Sequence, residues 1–111
     1  MTRRYEKPIR MGWAEAMKAI ESEDSAAGAR AMVSLAYFWK SREQLEQLYV
    51  ELLGHPKCAI RGVAATCLGH VARIHRRIDR EFVVPALTRL KSDPEVGGCA
   101  EDALEDIETF A

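Results

Sequence analysis

The sequence predicts an all-α fold, an α-solenoid of six helices stacked as three antiparallel pairs. Three observations carry that prediction. Apolar residues recur at helical spacing in every long segment. No stretch reads as a strand. The chain also repeats itself with a period of about 32 to 38 residues, and units of that length bury their apolar faces only by stacking. A length of 111 residues fits one core and not two. The expected division is a tail over residues 1–8 and a single domain over 9–111, with pairs at about 9–40, 41–76 and 79–110.

After Pro8, a first helix from about Ile9 to Ser22 turns Trp13, Ala16, Met17 and Ile20 inward. Ser22-Glu23-Asp24-Ser25 offers capping oxygens for a second helix, running to about Trp39. Ser41-Arg42-Glu43-Gln44 reads as a capping box opening a third, with Leu45, Leu48, Tyr49 and Leu52 inward. Gly54 is expected to close that helix in the left-handed conformation, and Pro56 to open the fourth. The fourth helix carries the most apolar stripe, Ile60, Val63, Ala64, Cys67, Leu68 and Val71, and ends near Ile74. Its small residues, Ala59, Gly62, Ala65 and Gly69, leave room for neighbouring backbones. Asp79 caps the fifth, where Val83, Ala86, Leu87 and Leu90 face inward and Pro85 costs a kink rather than a break. Asp93-Pro94 is read as opening the sixth, with Val96, Ala100, Ala103, Leu104 and Ile107 inward.

The first helices align without gaps, Trp13, Ala16, Met17 and Ile20 on Leu45, Leu48, Tyr49 and Leu52 and on Val83, Ala86, Leu87 and Leu90. Ala31 and Leu35 match Ala64 and Leu68, then Ala100 and Leu104. Within the middle copy, Leu52-Leu53, His55-Pro56, Ile60-Arg61, Ala64-Ala65 and Leu68-Gly69 resemble the HEAT repeat. The last copy matches moderately; the first lacks the proline and has Gly28 in place of the arginine. The resemblance implies a right-handed solenoid whose second helices line a concave face, and it gives Arg61 the task of tying adjacent repeats together. HEAT domains are usually protein-binding scaffolds and a few bind nucleic acid, so the fold does not choose the function.

Composition narrows the classes. A formal net charge of −1 gives no overall bias towards nucleic acid or acidic lipid. No run approaches the roughly 18 apolar residues of a membrane span, and the N-terminus lacks the apolar region of an export signal. A cytoplasmic protein without membrane contact is therefore expected. Cys58, Cys67 and Cys99 are odd in number and without framework spacing, as free thiols in a reducing compartment would be. His55-x-x-Cys58 finds no second ligand pair for zinc, and His70 and His75 do not share a helix face. Nucleophile elbows, phosphate loops and dinucleotide fingerprints are lacking. The reading is non-catalytic, with no metal and no cofactor.

Two charge clusters remain. Arg73, Arg76, Arg77 and Arg80 follow the fourth helix, where cations are favoured at a helix end. Glu101, Asp102, Glu105, Asp106 and Glu108 fill the polar side of the last helix. A terminal repeat needs a polar outer side, yet acids this late in a helix are mildly disfavoured, which points to another use. Helical phase places a row on the shared face: Ala29, Val33, Ala36 and Lys40, then Gly62, Thr66, Gly69 and Arg73, then Gly98, Asp102, Glu105 and Thr109. Tyr37, His70 and Asp106 flank it on one side, Trp39, Ala72 and Glu108 on the other, with Met32, Ala65 and Glu101 a turn earlier.

Aromatic anchors beside a charged rim are the make-up of a protein interface. The expected partner-binding set is Tyr37, Trp39, Lys40, Thr66, His70, Arg73, Glu101, Asp102, Glu105, Asp106 and Glu108. Small HEAT-like proteins are similar to bacterial immunity proteins, which neutralise a secreted or contact-delivered toxin. That resemblance implies a cognate toxin domain as partner, and the acidic row suits a basic nuclease. Two competing readings are a nucleic-acid-binding domain using the arginine cluster with Lys40, and a general adaptor or assembly subunit.

Overall fold

A computed structural model describes residues 9–111; the expected tail at 1–8 lies outside the described residues. Six α-helices follow in order: α1 (Trp13–Glu21), α2 (Ser25–Phe38), α3 (Arg42–Leu52), α4 (Cys58–His75), α5 (Arg80–Leu90) and α6 (Gly97–Phe110). The described residues contain no strand. Consecutive helices pair, α1 with α2, α3 with α4 and α5 with α6, and the second members pack in series, α2 on α4 and α4 on α6. Gly28 lies against Ile60 near the starts of α2 and α4, and Tyr37 meets His70 further along, so these two helices run parallel. Likewise Gly62 faces Val96 and Cys99, and Gly69 faces Ala103 and Asp106, so α6 runs parallel to both. Three pairs stack over about the length of one helix, which leaves the molecule nearly isometric at 35 × 34 × 29 Å.

Every expected core position is buried or half-buried. Ile60, Ala64, Cys67, Leu68 and Val71 on α4 form the centre, joined by Ala31, Met32 and Leu35 from α2 and by Ala100, Ala103 and Ile107 from α6. Leu45 and Tyr49 from α3, with Val83 and Leu87 from α5, close the other side. Buried polar groups are answered locally. The Tyr49 hydroxyl donates to the Met32 carbonyl at 2.6 Å, joining α3 to α2. Glu46, 3% exposed, pairs with Arg42 and accepts from the Asp79 backbone N–H at 3.0 Å, so α3 holds the residue that begins α5. That acceptor satisfies the N–H of the residue that caps α5.

The caps agree with expectation in part. Asp24 accepts from the N–H groups of Ala26 and Ala27, both at 3.1 Å, and Asp79 from that of Phe82 at 3.3 Å. Ser41 makes its half of the capping box with the Gln44 N–H, but the Gln44 side chain turns away and accepts from the Trp39 indole at 2.6 Å. Three expectations about turns are corrected. Gly54 does not adopt a positive φ; Leu53, the C-cap, stays right-handed, and tight bonds from Gly54 to Glu51 and from His55 to Leu52 close the helix instead. Pro56 lies before the N-cap, which is Lys57. Asp93-Pro94 opens a turn rather than α6, Asp93 accepting from Glu95 and Val96 before the helix proper starts at Gly97. Pro85 lies inside α5, which continues through it.

Arg61 links consecutive pairs. Its guanidinium donates to the carbonyls of His55 (3.0 Å) and Pro56 (3.1 Å) in its own turn and ion-pairs with Asp93 (3.2 Å) and Glu95 (3.7 Å) in the next.

Candidate functional site

One surface is built wholly from the second helices. On α4 the exposed or half-exposed Ala59, Val63, Thr66, His70 and Arg73 are spaced by three and four and so lie in one line. A parallel line on α2 holds Arg30, Val33 and Tyr37, and one on α6 holds Gly98, Asp102, Glu105 and Thr109. Of the expected row, the α6 members stand as read, together with Thr66 and Arg73 on α4. Ala36 is fully buried, so the α2 line passes through Tyr37 instead. Gly62 and Gly69 are buried as well, where α6 crosses them, and so are Met32, Ala65 and Ala72 of the expected flanks.

Gly69 shapes the site although it contributes no side chain. A Cβ there would come within 2.6 Å of the Asp106 carboxylate, so its absence lets that carboxylate lie against α4. Asp106 reaches Arg73 at 3.9 Å, Arg73 donates from Nη2 to Nδ1 of His70, and the His70 ring lies 5.5 Å from that of Tyr37. Four expected residues from three helices thus form one chain of contacts. Because arginine only donates, Nδ1 of His70 must be the bare nitrogen. Burial, then the Arg73 charge, holds the His70 pKa below its ordinary value, while Asp106 pulls weakly the other way. His70 is therefore a neutral ring in this cluster at neutral pH.

The acidic side of α6 divides in two. Asp106 and Glu108 are engaged, Glu108 with Arg80 at 3.1 Å. Glu101, Asp102 and Glu105 are exposed, with no cationic partner within 4.0 Å among the described residues. The arginine cluster is occupied in part, Arg77 standing exposed with no carboxylate within 4.0 Å among the described residues. Arg73 and Arg80 go to α6, and the Arg76 guanidinium lies 5.3 Å from the centre of the Phe110 ring.

Trp39 and Lys40 are not part of this face. Trp39 stacks on Trp13 of α1, ring centres 4.9 Å apart, and bonds to Gln44 of α3. With Lys40 it borders a separate open groove of about 560 Å³ between the entry to α1, the end of α2 and the start of α3. Sequence reasoning missed this groove because its walls come from three helices distant in register. It also missed Glu46, which helical phase alone marks as nothing more than a polar residue beside Leu45.

The thiols and remaining histidines take structural places. Cys67 is buried beside the Tyr49 ring, and burial pushes its thiol pKa up to about 12, so it stays protonated and unreactive. Beside Glu95, the Cys58 thiol is also raised. His55 accepts the Lys57 N–H at Nδ1, and Nε2 of His75 is buried without a partner.

No family model matches the sequence, and no curated protein does. Among solved structures, the chain is similar to one described as "Crystal structure of CDI complex from Cupriavidus taiwanensis LMG 19424", with 31% identity over 98% of each chain and a TM-score of 0.84.

Proposed function

From the premise that the chain belongs to one family with the CDI-complex chain it matches at 31% identity, we propose that it is a non-catalytic immunity protein of a contact-dependent inhibition system. It acts in the cytoplasm by binding a cognate toxin domain, and its helix pairs form a short HEAT-like solenoid whose second helices supply the binding face. The observation that carries this reading is the similarity along 98% of both chains. The surface supports it at residue level. Glu101, Asp102 and Glu105 present unneutralised charge beside Thr66, Val33 and the half-exposed Tyr37, an acidic rim next to an apolar anchor. Such a rim suits a basic toxin, and a nuclease is basic where it meets phosphate.

The occupied arginines weigh against the nucleic-acid reading, since Arg73 and Arg80 would have to leave carboxylates to reach phosphate. The test is titration of the cognate toxin domain against the wild type and the double variant Asp102→Lys, Glu105→Lys. Both residues are exposed, so melting should be unchanged. Affinity should fall by at least about ten-fold, mostly through slower association, with a steeper loss at low salt. Equal affinity of the two proteins would remove this face from the interface.

A further inference from the structure

The groove beside Trp39 has the make-up of a binding site, independently of the face on the second helices. Its volume of about 560 Å³ lies within the usual range for ligand sites, and Met11, Phe38 and Trp39 give it apolar walls. Those walls are fixed in advance. The Ser34 hydroxyl donates to the Ile9 carbonyl and pins the segment leading into α1. Trp39 is held from one side by Trp13 and from the other by Gln44. Phe38 stays 38% exposed beside Arg10, an unusual state for a phenylalanine. Two cations border this apolar floor. Arg10 lies over the Phe38 ring at 5.4 Å, and Lys40 is exposed at the end of α2. Neither has a carboxylate within ion-pair distance among the described residues. Among the described residues Glu15 is the single acid on the rim, against Arg10 and Lys40.

We propose that this groove docks an extended segment of a partner protein that presents a large apolar side chain next to a carboxylate. The apolar side chain lies between Phe38 and Trp39, and the carboxylate turns towards Lys40 and Arg10, away from Glu15. An open groove with prearranged aromatic walls costs little ordering on binding, which suits a short peptide segment. The charge sign is opposite to that of the α6 face, so one partner region does not satisfy both.

The chain holds two tryptophans, Trp13 and Trp39; Trp39 lines the groove and packs at a tilt against Trp13, so intrinsic indole emission reports occupancy. The full chain is titrated with acetyl-Gly-Phe-Glu-Gly-amide and with the same peptide carrying Gln or Lys in place of Glu. A saturable emission change is expected, with the Glu peptide binding about five-fold tighter than the Gln peptide and the Lys peptide weakest. Lys40→Ala should erase that order without changing helicity or melting, and Glu105→Lys should leave it intact. The proposal is overturned by any of three results: no saturable change at millimolar peptide, equal binding of the three peptides, or an unchanged order in Lys40→Ala. A response lost in Glu105→Lys would place binding on the second-helix face and overturn it equally.

Discussion

Burial and the neighbouring Arg73 charge make His70 reluctant to take a proton, and this has a direct consequence for stability. In the unfolded chain an imidazole titrates near 6.5. In the folded protein His70 titrates lower, so over that window the unfolded state binds more protons and stability falls as pH falls. The loss begins as pH drops through the unfolded value and levels off below the folded one. Melting temperature should therefore decline between about pH 7 and pH 5, above the range where carboxylates titrate. His70→Gln should flatten that decline; an unchanged slope would show that other groups set it. Single residues were legible where side-chain chemistry has one meaning. Asp24 and Asp79 cap as expected because a short carboxylate before a helix has few other uses. Glu46 was not legible, since its role depends on the Asp79 N–H, 33 residues later.

Among whole elements, the head of α6 separates two glycines that the sequence presents as alike. A Cβ on Gly97 would come within 2.4 Å of the Lys91 carbonyl oxygen, whereas one on Gly98 meets nothing within 4 Å. Gly97→Ala must push the end of α5 away from the start of α6 and should cost about 1–3 kcal/mol in urea unfolding. Gly98→Ala should be neutral or stabilising by up to about 1 kcal/mol, because alanine loses less entropy in a helix. Equal effects from the two substitutions would contradict the packing described. Helix number, order and inward faces were legible because every stripe is long and periodic. Boundaries were less so. Gly54, Pro56 and Asp93-Pro94 each mark a turn truthfully, but each fits several positions within one, and only tertiary contact selects among them.

For the molecule as a whole, one continuous core joins all six helices through α4. Leu68, fully buried at its centre, is where a truncation is felt everywhere. Leu68→Ala should cost about 2–5 kcal/mol with the denaturant slope unchanged, as for a single cooperative unit. An effect below about 0.5 kcal/mol would mean that the site is not core. The shared face was legible on α6, an end helix with nothing packed beyond it. It was blurred on α4, since a glycine under a neighbouring helix and a glycine facing solvent look the same in sequence. Trp39 and Lys40 were assigned to that face by helical phase, but α2 ends at Phe38 and the phase ends with it.

The parallel course of α2, α4 and α6 also shapes the field around the protein. Their peptide dipoles point the same way, and the shorter α1, α3 and α5 running back between them cancel most but not all of that sum. Arg73, Arg76 and Arg77 gather at the end of α4 and offset part of what remains, whereas the carboxylates of α6 skew it sideways. A chain whose charges sum to −1 therefore still separates its charge, the exposed carboxylates of α6 lying apart from Arg76 and Arg77 at the end of α4. An approaching charged body feels a torque as well as an attraction, and is turned towards its docking orientation before the two surfaces touch.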